Sequence, residues 1–201
     1  MEIILASTSP RRKELLEMCS INFLTIASEI NEKEIENEII YSNSEKSMFE
    51  KADLLTSALA FNKANAISKE NPNKIIIGSD TVVVSENEIL GKPNNHEDAY
   101  RMLRSLCGSK HRVYTGVSLV KNETALETFT SYTEVEFFDY DDNMEKIIRD
   151  YIKSDSPMDK AGAYGIQDMG ALLIKNISGD YYTVMGLPIS KLYRSIIEYQ
   201  I

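Results

Sequence analysis

Asp80 has the sequence setting that most calls for chemistry. It lies in "IIIGSDTVVV", between the aliphatic triplets Ile75–Ile77 and Val82–Val84. A carboxylate there is costly to bury unless something pairs with it, and ionisable groups held in apolar surroundings mark candidate functional sites. The plainer reading is a strand-end aspartate that caps a loop through Ser79 or Thr81. Arg11 and Arg12 follow Ser9 and Pro10, where an apolar run hands over to a helix. Two guanidiniums at that end oppose the helix macrodipole, which favours negative charge there. A strand-to-helix turn offers free backbone N–H groups to a phosphate, and arginine adds planar, bidentate donors. Ser7 and Ser9 stand beside them; a solvated helix start is the alternative. Lys63 falls on the apolar face of its helix, between Leu59 and Ile67, so it must either snorkel outward or meet an anion. Lys92, in "LGKP", extends the basic cluster, and Gly91 permits close backbone approach. Gln167, in the glycine-rich "DKAGAYGIQDMG", can read a base edge through both its carbonyl and its amide.

These residues need elements to hold them. "EIILA" reads as a first strand, buried on both faces. Ser9 caps the helix that follows, and Pro10 suits its first position. "FLTIAS" reads as a second strand. The stretch from Asn31 to Glu45 is polar and poorly periodic and reads as mostly loop. A long helix is predicted from about Ser47 to Lys69, ended by Asn71-Pro72. "KIIIGSDTVVV" reads as one buried strand interrupted at Gly78–Thr81, and "NEILGKP" as a turn and loop. A helix carries Ala99, Met102, Leu103 and Leu106 and stops at Gly108. "HRVYTGVSLV" and "ALETFTSYTEVEFF" read as long antiparallel strands joined near Asn122. Asp141 caps another helix, "ALLIKNI" is a last strand, and "PISKLYRSIIEY" a last amphipathic helix. Strands that first alternate with helices and then pair antiparallel indicate α/β with a mixed sheet.

Bulk properties narrow the function. The 201 residues are 43% hydrophobic, enough for one domain with a real core. Acidic residues outnumber basic ones, 31 to 22, which argues against a broad nucleic-acid surface and for a small anion held by a local basic cluster. No signal peptide is evident, and no apolar run approaches membrane-spanning length. A cytoplasmic protein with free Cys19 and Cys107 is the expectation. There is no P-loop, no dinucleotide fingerprint and no nucleophile elbow. His111 reads as a structural hydrogen-bonding residue. Gly162-Ala163-Tyr164-Gly165 fits the short GXXG pattern that clamps RNA in KH modules, though the acidic balance opposes that use.

Taken together, "LASTSPRR", "GSDTVV", "LGKP", "HRVYTG", "DKAGAYGIQ" and "GDYYTVMGLP" resemble, in order and over almost the whole chain, the Maf family of nucleotide pyrophosphatases, once known as septum-formation inhibitors. The resemblance implies a single domain over 1–201, an α/β fold with a mixed twisted sheet in two lobes around a central cleft, similar to inosine triphosphate pyrophosphatases. It implies hydrolysis of a nucleoside triphosphate to the monophosphate and pyrophosphate with a divalent metal cation, Mg2+ or Mn2+. On that basis Asp80 is the general base and, with Glu32, a metal ligand. Ser7, Arg11, Arg12, Lys63 and Lys92 hold phosphates. "SPRR" with Thr81 after the aspartate resembles the dTTP/UTP branch rather than the 7-methyl-GTP branch, and Arg11, Thr81 and Gln167 correspond to its specificity positions. The resemblance is also compatible with a homodimer and with a nucleotide-sensing regulator of cell division that turns over little. Three features depart from the family pattern: the stretch between Glu32 and Lys63 is longer, Cys107 stands where a serine is usual before Gly108, and Asp168 stands where glycine is common.

Overall fold

A computed structural model describes residues 2–199; Met1, Gln200 and Ile201, included in the expected 1–201 domain, lie outside the described residues. Short apolar runs make the strands. β1 (Ile3–Ala6) is buried throughout because it runs parallel between β2 (Phe23–Thr25) and β3 (Ile75–Val84). β4 (Ile89–Leu90) pairs with the last residues of β3. β5 (Lys110–Lys121), β6 (Thr124–Phe137) and β7 (Ile174–Ser178) continue the sheet antiparallel, giving the order β2-β1-β3-β5-β6-β7. The sheet is mixed, as expected. Asn122 and Glu123 join β5 to β6 with φ of 49° and 62°, the positive pair that a two-residue hairpin turn of the right twist requires.

The helices fall on two faces. Along β3 the even residues face α3 (Met48–Glu70): Ile76 packs with Ala64 and Ile67, and Val82 and Val84 with Ala52, Leu55 and Leu59. Two glycines let this helix lie directly on the sheet. A Cβ on Gly78 would stand 2.0 Å from the Ala60 carbonyl oxygen, and one on Gly116 would stand 2.3 Å from that of Thr56. The odd residues of β3 face two separate groups. α1 (Pro10–Glu17) and the C-terminal α7 (Ile189–Glu198) enclose Ile75 and Ile77. α4 (His96–Leu106) and α5 (Asp142–Lys153) enclose Val83. Between these two apolar clusters the same face carries Ser79, Thr81 and, from β5, Thr115. The lobes therefore part at a polar saddle on one continuous sheet.

Several elements differ from the sequence expectation. β3 is not interrupted at Gly78–Thr81: its ladder with β5 runs on through Ser79–Val117, Asp80–Gly116 and Thr81–Thr115, because backbone hydrogen bonds do not depend on side-chain polarity. The supposed loop from Asn31 holds α2 (Glu32–Ser42). None of its residues is fully buried, which hides its periodicity; only Ile35 and Ile39, four apart, pack against the α3 cluster. Asn31 caps it by accepting from the Glu34 N–H, and Glu32 and Glu34 suit its first turn. β4 and α6 (Tyr181–Met185, capped by Asp180) were unforeseen. The first residues of "ALLIKNI" belong to a 3-10 turn, Met169–Leu173. No helix among the described residues is long and apolar enough to cross a membrane.

Candidate active site

β1 pairs with β3 as far as Gly78, and β4 takes up the same edge at Val83. From Ser79 to Val82 the edge of β3 is left to a cleft of about 800 Å3. The strand gap, rather than a break in β3, gives Asp80 and Thr81 access to a ligand. All nine residues singled out from sequence line this cleft: Ser7, Arg11, Arg12, Glu32, Lys63, Asp80, Thr81, Lys92 and Gln167.

At its floor the Lys63 ammonium donates to Asp80 Oδ1 at 2.6 Å and lies 3.0 Å from Glu32 Oε1. Lys63 and Asp80 are both nearly buried, and the lysine meets an anion instead of snorkelling. The close α3–sheet contact at Gly78 and Gly116 brings them together. Glu32 reaches the pair from the first residue of α2. Asp80 Oδ2 takes no hydrogen bond among the described residues, which leaves one carboxylate oxygen for a ligand or water.

The wall is basic. Ser7 Oγ accepts from the Ser9 N–H at 3.1 Å, and Ser9 Oγ accepts from the Arg12 N–H at 3.4 Å, fixing the entry into α1. Arg12 donates from Nε to the Gly186 carbonyl at 2.9 Å and from Nη2 to Thr81 Oγ1 at 3.0 Å. Burial pushes the pKa of its guanidinium down, and the Asp80 carboxylate opposes that shift. Arginine remains charged regardless, so the cost of burial appears as a demand for partners. Arg11 bonds across the cleft to Asp159, through Oδ2 at 2.8 Å and the backbone carbonyl at 3.3 Å. Lys92 is exposed and makes no ion pair among the described residues, and the exposed Gln167 amide makes no hydrogen bond there. Both keep their donors for a ligand.

Sequence reasoning missed a network beside Gln167. Lys160, almost buried, donates to the Ser156 carbonyl, to Asp159 Oδ1 at 2.8 Å, and lies 3.3 Å from Asp168 Oδ2. Asp168 also accepts from Tyr151 Oη at 2.8 Å, Ser156 Oγ at 2.8 Å and the Gly170 N–H at 2.9 Å. Burial works against the Asp168 carboxylate, but those hydrogen bonds and Lys160 hold its pKa below the usual value. Asp168 thus turns away from the cleft and ties down the loop that presents Gln167. The sequence signals were an Asp-Lys pair opening a glycine-rich stretch and the unusual carboxylate of Asp168. The GXXG match dissolves: Gly162 to Gly165 are buried, with Tyr164 edge-on to His111 and Phe137. His111 is structural, with Nε2 2.8 Å from Tyr164 Oη.

Among the described residues no three His, Cys, Asp or Glu side chains gather into a complete metal cage. Glu32 and Asp80 instead bring two carboxylates to one point of an open cleft walled by cations. Magnesium commonly uses one or two protein carboxylates and takes further oxygens from substrate phosphates and water. The donor set fits such an ion.

The chain is 44% identical over 200 residues to proteins named dTTP/UTP pyrophosphatase from Bacillus cereus and Bacillus anthracis, covering 100% of this chain and 96% of each relative. Among solved structures, a HAM1 protein from Coxiella burnetii aligns at 16% identity with a TM-score of 0.47 over 98% of this chain and 99% of that one. The Staphylococcus aureus Ham1 protein aligns at 12% identity with a TM-score of 0.46 over the whole of both chains. Residues 2–199 match the family described as Maf-like protein, and the chain belongs to the Maf family.

Proposed function

We propose that this protein hydrolyses dTTP and UTP to the nucleoside monophosphate and pyrophosphate. The observation that carries the reading is the shared ammonium: Lys63 joins Asp80 and Glu32 at the floor of a cleft whose walls bring Arg11, Arg12 and Lys92. A triphosphate carries close to four negative charges, and its anhydride breaks more readily where cations strengthen their hold as charge builds on the leaving group. The full-length relatives named dTTP/UTP pyrophosphatase supply the substrate class.

In this reading Lys63 holds Asp80 by Oδ1 and leaves Oδ2 to orient a water and take its proton. The water oxygen attacks the α-phosphorus, the α–β anhydride bond breaks, and its electrons leave with pyrophosphate. Arg11, Arg12 and Lys92 hold the departing phosphates, with Ser7 at the turn beside them. Glu32 and Asp80 would hold a divalent cation, which supplies Lewis-acid polarisation of phosphate oxygens when bound. Gln167 reads the base, on the side of the cleft fixed by Lys160 and Asp168.

Product analysis tests this directly. With Mg2+ or Mn2+, dTTP and UTP should give monophosphate and pyrophosphate on anion exchange, ahead of CTP, GTP, ATP and 7-methyl-GTP. Diphosphate and inorganic phosphate would mean that Asp80 faces a different phosphorus. Binding without turnover would remove the catalytic reading.

A further inference from the structure

The saddle between the lobes contains a chain of hydrogen bonds whose direction can be derived. Thr115, fully buried, donates its single hydroxyl hydrogen to the Thr183 carbonyl at 2.8 Å. Its contact with Thr81 Oγ1 at 3.0 Å must then be one in which Thr81 donates and Thr115 accepts. Thr81 has spent its only hydrogen, and it accepts from Arg12 Nη2 at 3.0 Å. The order is fixed from the cation inward: Arg12 donates to Thr81, Thr81 to Thr115, Thr115 to a carbonyl. Each hydroxyl is polarised so that its oxygen presents negative charge toward the guanidinium, and such chains strengthen their members.

A second arm grips the other side of the same guanidinium. Gly186 ends α6 with φ of 106°, a left-handed conformation natural to glycine. Its carbonyl accepts from Arg12 Nε at 2.9 Å and from Ser79 Oγ at 3.1 Å. The "GDYYTVMGLP" stretch therefore contributes two backbone carbonyls, of Thr183 and Gly186, and both serve the hold on Arg12.

We propose that Thr115 is a positioning residue for the proposed reaction: acting through Thr81, it locks Arg12 in the rotamer that receives the polyphosphate. A corollary concerns Thr81. With its hydrogen committed to Thr115, its hydroxyl can meet a ligand only as an acceptor, so its place among the branch's specificity positions is expressed through the arginine it orients. The inference rests on the reading of the cleft as a triphosphate site, and its test uses a ligand without a base.

Pyrophosphate binding with Mg2+ is measured by calorimetry for the wild type, Thr115→Val, Thr115→Ser, Arg12→Ala and the double variant Arg12→Ala/Thr115→Val, alongside dTTP kinetics. Thr115→Val keeps the shape and loses the hydroxyl. It should weaken pyrophosphate binding by up to about tenfold, the scale of one net hydrogen bond, and raise KM for dTTP in parallel. Thr115→Ser should restore most of that affinity. In the Arg12→Ala background Thr115→Val should have no further effect, a coupling that a merely structural role would not produce. Unchanged affinity in Thr115→Val, or an equal loss with and without Arg12, would overturn the proposal. Thr81→Val, at a half-buried site nearer the cleft, gives the same test should Thr115→Val fail to fold. A wild type that neither binds pyrophosphate nor hydrolyses dTTP would instead remove the triphosphate reading, and this proposal with it.

Discussion

His111 should make the protein lose stability on mild acidification. Its ring is 1% exposed, packed edge-on between Phe137 and Tyr164, and its Nδ1 has no hydrogen-bond partner. Protonation would put a charge in that apolar setting with an N–H facing no acceptor, and burial pushes its pKa from the ordinary 6.5 down to about 3. The sign follows from linkage. Below pH 6.5 the unfolded chain takes up a proton that the folded chain refuses, so unfolding becomes easier as pH falls toward the folded value. Well inside that window the slope for one group is about 1.4 kcal/mol per pH unit. Between about pH 7.5 and pH 5.5 the integrated loss from His111 alone is about 1.4 kcal/mol, while carboxylates are still ionised in both states. Denaturant unfolding of the wild type and of His111→Gln across that interval gives the test. The substitution shifts absolute stability, but the comparison concerns the pH slope, and any contribution of the exposed His96 is common to both proteins. The wild type should lose about 1.4 kcal/mol more than the variant over the interval. Parallel profiles would refute the argument, as would an imidazole NMR titration in which His111 takes up a proton above pH 5.5.

Other perturbations follow from the packing. Gly78→Ala sets a methyl group where the Ala60 carbonyl lies 2.0 Å away, so α3 must lift; a loss of more than about 3 kcal/mol, read by denaturant midpoint, is expected. Lys63→Met strands a nearly buried Asp80 carboxylate and should cost about 3–5 kcal/mol, most of it recovered when Asp80→Asn is added, as thermal unfolding of the three variants will show. Asp80→Asn alone should still bind nucleotide while kcat falls by at least about a hundredfold, measured by pyrophosphate release. Glu123→Gly relieves a left-handed side-chain residue in the hairpin turn and should stabilise the fold by about 1 kcal/mol in the same unfolding assay.

Much of this was legible before any coordinates. Apolar runs located the strands, and an inward-facing lysine at a helical step from Leu59 had either to snorkel outward or to meet an anion; the structure pairs it with Asp80. What stayed hidden has physical causes. α2 has no fully buried residue, so its two isoleucines left no convincing stripe. The role of the chain gap beside Ser79–Val82 depends on where β1 stops pairing, which is a property of two distant segments. The Arg12 grip draws on Ser79, Thr81, Thr115, Thr183 and Gly186, and no local pattern announces that their hydroxyls and carbonyls converge. Lys160 was invisible for the same reason, and Asp168, noticed as an odd carboxylate, gave no sign of its partners: each is an ordinary loop charge until the fold surrounds it.

The contact of α3 with the sheet has one more consequence. At Gly78 and Gly116 helix and strands approach backbone to backbone, with only the small Ala64 side chain beside Gly78. The height of the Lys63 ammonium above Asp80 therefore depends on these two glycines together with the Leu55, Leu59, Val82 and Val84 packing beside them. A side chain added at either glycine would reach the candidate site without touching it, by lifting the helix that carries Lys63.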